Sequence, residues 1–140
     1  SLGTDSNTSN NSLDMFSEMK VCGLLQKSSR WDPTVTPAQQ LLDFATINGA
    51  KAIGMQDKIG SIEVGKYADI VILDGKAPNL RPLLPENMIA NIAYSASSLN
   101  VKTVLCQGDV VVDDRKITTL DVDSVLDASE DVWRYLCQRS

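Results

Sequence analysis

The 140-residue sequence predicts an α/β chain, and three observations carry that expectation. Apolar residues recur at helical spacing from Leu13 to Ile47. From about Gln56 the pattern changes to short β-branched segments separated by Gly, Pro and Asp. Residues 121–140 return to a helical stripe made of Val122, Val125, Leu126, Val132, Trp133 and Leu136.

Taken in order, Leu2-Gly3-Thr4-Asp5 reads as the end of a strand that runs into a polar loop, Ser6–Ser12. Leu13, Phe16, Met19, Leu24 and Leu25 predict a helix over Leu13–Lys27, capped by Asn11 or Ser12, with a loop over Ser28–Pro33. Thr36-Pro37-Ala38-Gln39 sets a capping hydroxyl before Pro at the first helical position and Gln at the third, a helix start. Leu41, Leu42, Phe44, Ala45 and Ile47 supply its apolar stripe. Asn48-Gly49 ends or interrupts it, and Ala50–Ile53 adds a turn before Gly54. Gly60–Gly65 predicts a short strand between two turns. Gly65 and Asp69 bracket Lys66-Tyr67-Ala68 in a structural turn that launches Ala68–Leu73, a continuous apolar strand expected to be buried on both faces. Met88–Tyr94, Val101–Cys106 and Val110–Val112 are further strand candidates, with a tight hairpin at Gln107-Gly108-Asp109. Asp121 or Asp123 begins the last helix, which places Trp133 in a core; Trp31 could anchor an interface.

Composition narrows the partners. The net charge is −5, with no Lys/Arg cluster to displace counterions, which argues against nucleic acid and anionic membrane as partners. Runs such as Ile70–Leu73 and Val110–Val112 fall far short of the roughly 20 apolar residues that span a bilayer. The opening SLGTDSNTSNN has no signal-peptide pattern, so a soluble, cytoplasmic protein is expected. Cys22, Cys106 and Cys137 are odd in number, lack a C-x-x-C, and read as three small buried hydrophobes in a reducing compartment. Asp113-Asp114 and Asp121-x-Asp123 read as solvated turn and cap carboxylates, because no calcium-loop spacing surrounds them. Histidine is absent, so any chemistry here runs on carboxylates, hydroxyls or groups supplied from elsewhere.

Three blocks carry a family resemblance. Leu2-Gly3-Thr4-Asp5-Ser6, Ser9-Asn10-Asn11 and Leu13-Asp14-Met15-Phe16-Ser17-Glu18-Met19 resemble the segment around the eighth barrel strand of methylthioadenosine/S-adenosylhomocysteine deaminases and their triazine-chlorohydrolase relatives. Ala45 to Gly54 is similar to the family's next helix and turn, and Ile59 to Asp74 to its re-entry into a β-sandwich. The Gly-Lys-Tyr-Ala-Asp-Ile-Val block points to the amidohydrolase superfamily, and the Ser-Asn-Asn block to its aminohydrolase branch. The resemblance implies the C-terminal end of a metal-dependent hydrolase (β/α)8 barrel at 1–55, the C-terminal part of a composite β-sandwich at 56–120, and a terminal amphipathic helix at 121–140.

In such a barrel an Asp at the carboxyl end of a strand projects into the mouth, where active sites gather. The resemblance therefore makes Asp5 both metal ligand and catalytic residue. It would contact a divalent metal, zinc or else iron, and act as general base toward the water that attacks a purine ring, then pass the proton to the leaving ammonia. The implied substrate is an adenosine-type nucleoside: methylthioadenosine, S-adenosylhomocysteine, 5'-deoxyadenosine or adenosine. The family's histidine ligands and its acidic proton donor lie upstream of the matching segment, so this chain reads as a C-terminal fragment, inactive alone, whose partners are the N-terminal part of the same protein and further copies in a homo-oligomer. Alternatives are an amidohydrolase acting on a triazine, guanine or another cyclic amine, and a non-catalytic interaction module.

Overall fold

Asp14 starts the first helix: its Oδ1 accepts the Phe16 amide at 2.9 Å in the computed structural model, which describes residues 1–138. Helix α1 spans Met15–Arg30, with Glu18 in its first turn and Lys27 and Arg30 in its last, each matched to the helix dipole. It runs through Ser28–Arg30, expected as loop, and closes on a left-handed Trp31 whose N–H reaches the Lys27 and Ser28 carbonyls. The cap is Asp14 rather than Asn11 or Ser12. Leu24 and Leu25 also depart from expectation: both are exposed, and the inward face is Phe16, Met19, Cys22 and Gly23.

Helix α2 spans Ala38–Ala45 and α3 spans Ile47–Ala52. Thr36 does not cap α2. It sits at a left-handed φ of 51°, whereas a capping residue needs extended backbone, and Pro37 takes that place with φ −60° and ψ 161°. Lys27 of α1 donates from Nζ to the Val35 carbonyl at 2.7 Å, tying α1 to this turn. The break between α2 and α3 falls at Thr46, not at Asn48-Gly49, which lies inside α3. The Thr46 hydroxyl donates back to the Leu42 carbonyl at 2.7 Å, a local bond that competes with the helical ladder.

Four strands form one antiparallel sheet in sequence order: β1 Ile70–Leu73, β2 Val101–Cys106, β3 Asp109–Asp113 and β4 Lys116–Ile117. Ile70 pairs with Leu105 and Cys106 with Asp109, leaving Gln107-Gly108 as a two-residue loop. Both loop residues have positive φ, as does the pair Asp114-Arg115 that joins β3 to β4, the backbone that tight hairpins require. Asp69 Oδ1 accepts the Gln107 amide at 2.7 Å, so the expected turn before β1 also braces the hairpin. β1 is an edge strand with Val71 and Ile72 exposed, which corrects the expectation of burial on both faces.

Among the described residues, three expected strands are something else. Gly60–Gly65 pairs with no strand among the described residues; Lys66 Nζ donates to Ser61 Oγ at 2.6 Å and lies 3.1 Å from Glu63, so a polar network rather than a ladder organises this turn. Met88–Tyr94 is helix α4. Its β-branched Ile89 and Ile92 suggested a strand, yet Ile89, Ile92 and Ala93 share one helical face, and Ala93 packs with Met19 and Leu41. Leu2–Asp5 likewise forms no strand pairing; instead the Leu2 amide donates to the Phe44 carbonyl at 3.2 Å and its side chain joins the same cluster.

Helix α5, Val122–Cys137, is capped by Asp121, whose carboxylate accepts from the Asp123 and Ser124 amides. The expected end of this helix at residues 139–140 lies outside the described residues. No described residue of α5 is buried, so Trp133 is exposed rather than core. The cysteines also differ from expectation: Cys22 is half-buried, while Cys106, at the hairpin, and Cys137, on α5, are exposed.

Gly23 is where α1 meets α2 and α4. A Cβ there would stand 2.7 Å from Leu41 Cδ1 and 2.9 Å from the Tyr94 hydroxyl. Gly23→Ala should therefore destabilise the fold by about 1–3 kcal/mol through overpacking. Gly3→Ala, which meets nothing within 4 Å, should not. Urea unfolding checks both, and an unchanged midpoint for Gly23→Ala would contradict the packing described.

Asp74 supplies a pH dependence. The Lys76 amide, and after it the Arg115 guanidinium at 2.6 Å, hold its carboxyl below the ordinary range. A carboxyl lowered by folding favours the folded state above its unfolded pKa of about 4, and that contribution fades as pH falls through the folded value. The urea midpoint of Asp74→Asn should fall less between about pH 5 and about pH 3 than that of the unsubstituted chain. Equal losses would remove Asp74 from the acid response.

Candidate active site

Asp5 stands where two differently anchored segments meet. On its N-terminal side the backbone is pinned three residues back, by the Leu2 amide to Phe44 at the end of α2. On its C-terminal side Ser6–Asn10 folds into a closed turn, with the Ser9 and Asn10 amides both donating to the Ser6 carbonyl at 3.0 and 2.9 Å. Asp5 itself has a left-handed φ of 58° and an exposed side chain. Asp tolerates this backbone better than most L-residues because its short side chain can bond locally. Here Oδ1 accepts the Ser6 amide at 2.7 Å, while Oδ2 makes no hydrogen bond among the described residues. One carboxylate oxygen is thus engaged by the chain, and the other is open on an exposed residue.

The rim beyond the turn is tied to helix α1. Asn10 donates from Nδ2 to Glu18 Oε1 at 2.6 Å and accepts the Ser12 amide on Oδ1 at 3.1 Å. Asp14 uses one oxygen to cap α1 and the other to accept the Ser98 amide at 3.0 Å, joining the start of α1 to the short helical turn Ser98–Asn100. That turn is held by a reciprocal amide pair between Asn79 and the buried Asn100, at 2.9 and 3.0 Å. None of these links between loop and helix was readable as a contact in the sequence, although Asn10, Asp14 and Glu18 all stand in the blocks that carry the resemblance.

Among the described residues no three of His, Cys, Asp and Glu stand close enough to hold an ion, and the sequence has no histidine. The described residues therefore do not by themselves make a three- or four-donor metal site. A cleft of about 540 Å³ lies between α1 and α2, lined in part by Cys22, Arg30, Thr36 and Phe44, but Asp5 does not line it. No helix among the described residues is long and apolar enough to cross a membrane.

Helices α1, α2 and α4 pack on one another, the chain also forms a small antiparallel sheet, and the exposed Asp5 carboxylate precedes them all. The amidohydrolase family profile matches residues 1–111, and the chain belongs to that family. Among its relatives, the 5-methylthioadenosine/S-adenosylhomocysteine deaminase of Syntrophobacter fumaroxidans is 41% identical, over 90% of this chain and 28% of the relative. The 5'-deoxyadenosine deaminase of Methanothermobacter thermautotrophicus is 45% identical, over 93% of this chain and 30% of its own length. The crystal structure of an adenosine deaminase from Xanthomonas campestris with bound zinc superposes with a TM-score of 0.90 at 37% identity, covering 99% of this chain and 31% of that one. The chain thus spans less than a third of the length of these relatives.

A lone carboxylate on an exposed loop should not retain zinc. After incubation with the metal and dialysis, the 140-residue chain should keep well under about one equivalent by elemental analysis. Stoichiometric retention would reveal a donor set that the geometry lacks.

Proposed function

We propose that this chain is the C-terminal portion of a metal-dependent aminohydrolase that converts an adenosine-type nucleoside to the inosine-type product and ammonia. The observation that carries the reading is the 41–45% identity to the two deaminases above, over nine-tenths of the chain. In this reading residues 1–55 contribute the last strand and following helices of a (β/α)8 barrel. Residues 56–120 contribute the C-terminal share of a composite sandwich, and 121–140 the closing helix. The other metal donors and the nucleoside pocket come from the rest of a cytoplasmic protein that assembles as a homo-oligomer, and these 140 residues alone do not catalyse.

Zinc, or iron in its place, would be held in part by Asp5 and would supply a water acidic enough to lose its proton near neutrality. Asp5 does the proton work. Its Ser6-bonded Oδ1 keeps the carboxylate oriented, and the open Oδ2 accepts the proton of the attacking water. Water adds to the amino-bearing carbon of the purine, and Asp5 returns the proton to the amine as the carbon–nitrogen bond breaks and ammonia departs. A carboxylate is sufficient for this relay, so the lack of histidine in this part of the protein is no obstacle to its role.

The test is ammonia release by the full-length protein, loaded with zinc, from methylthioadenosine, S-adenosylhomocysteine, 5'-deoxyadenosine and adenosine. At least one should be turned over; silence on all four overturns the nucleoside reading. Asp5→Asn should lower kcat by about 10²- to 10⁴-fold, the span of general-base catalysis. Wild-type turnover in that variant would overturn the role given to Asp5.

A further inference from the structure

We propose that Glu18 is a positioning residue that acts on Asp5 through Asn10, a role that rests on the catalytic reading of Asp5 above. A base on a left-handed loop residue is useful only if the loop cannot swing. The Leu2–Phe44 bond holds the chain before Asp5, and the bonds to Ser6 O close the turn after it upon itself. Closing a turn fixes its shape but not its orientation toward the rest of the fold.

Orientation comes from Asn10. Among the described residues, the Asn10–Glu18 bond is the side-chain hydrogen bond by which loop 6–12 reaches α1. At 2.6 Å to a carboxylate it is a short, charge-assisted contact, and it is partly buried. The amide cannot rotate freely, because its oxygen is engaged by the Ser12 amide. Glu18 is followed by Met19, which is 2% exposed in the cluster with Leu41 and Ala93, so the acceptor sits on the best-packed turn of α1. The relay runs from core to Glu18, to Asn10, to the turn that begins at Ser6, and so to Asp5. Small misplacements of a catalytic group are costly to turnover, so loss of this tether should be visible in kcat.

Glu18 also lies in the first turn of α1, where its charge favours the helix dipole, and this is the structural role to be separated from positioning. Gln at 18 loses the charge but keeps an oxygen that accepts from Asn10; Ala loses both. In the full-length zinc enzyme, Glu18→Ala should lower kcat by about 10- to 100-fold with KM changed by less than about threefold, and Glu18→Gln should recover most of that loss. Hydrogen exchange at the Ser9 and Asn10 amides should quicken in Glu18→Ala and not in Glu18→Gln, in enzyme with and without zinc. Should Glu18→Ala fail to fold, Asn10→Ala removes the same bond from the loop side and should show the same kcat loss and faster exchange. Turnover within about twofold of wild type in these alanine variants, or a Glu18→Gln as impaired as Glu18→Ala, overturns the proposal. Asp5→Asn, measured alongside, separates the two ideas. If it is inactive while Glu18→Ala and Asn10→Ala are normal, only the tether fails; if it is fully active, the catalytic reading fails first.

Discussion

The missing side chain at residue 23 lets α1 lie against both Leu41 of α2 and Tyr94 of α4, and the placement of Asp5 depends on that approach. Leu41 forms a buried cluster with Met19 and Ala93, and Leu2 and Phe44 add their side chains to the edge of that cluster. Because the Leu2 amide is bonded to the Phe44 carbonyl, the backbone that delivers Asp5 is referenced to the packed end of α2. Widening the α1–α2–α4 junction would move both ends of the loop, since Glu18 rides on α1 and Phe44 on α2. Packing at Gly23 and the orientation of a carboxylate in another part of the chain are thus one mechanical problem.

That core is small beside the apolar surface the chain presents. Trp31 is 94% exposed, Ile62 and Val64 point outward, and Val125, Leu126, Val132, Trp133 and Leu136 are all exposed along α5. The apolar stripe along α5, exposed over several turns, reads as an interaction face rather than ordinary solvated surface. The edge strand β1, with Val71 and Ile72 exposed, adds unpaired backbone groups to the account. The periodicity of α5 was legible because an amphipathic stripe records the face meant for burial; that no described residue buries it was not, because periodicity does not name the partner.

The same distinction separates what else could be read from what could not. Strand β2 and the Gln107-Gly108 turn follow from local chemistry: a β-branched run and a dipeptide that accepts positive φ. Helix α4 was missed because Met88–Tyr94 is short, and Ile89 and Ile92 favour strands as readily as helices. What decides is the fit of Ala93 against Met19 and Leu41, residues distant in the sequence. Thr36 illustrates a local signal defeated by tertiary contact: its hydroxyl is suited to capping, but Lys27 reaches the neighbouring Val35 carbonyl and the backbone at 36 turns left-handed. At the site, Asp5 could be singled out because a carboxylate after Leu-Gly-Thr stands in a recognisable block. The Asn10–Glu18 bond could not, because residues eight apart meet only once the turn on Ser6 has closed.

Asp5 also shows why a candidate base sits on strained backbone. A left-handed conformation costs an ordinary L-residue about 1–2 kcal/mol, and such strain persists only where surrounding contacts hold it. The contacts are present: Oδ1 on the Ser6 amide, the turn on Ser6 O, and the clamp from Asn10 to α1. A residue that served only as a turn would have no need of a second, partly buried tether to a core helix. The tether makes physical sense if the direction of that carboxylate, rather than the reversal of the chain, is what the loop is built to keep.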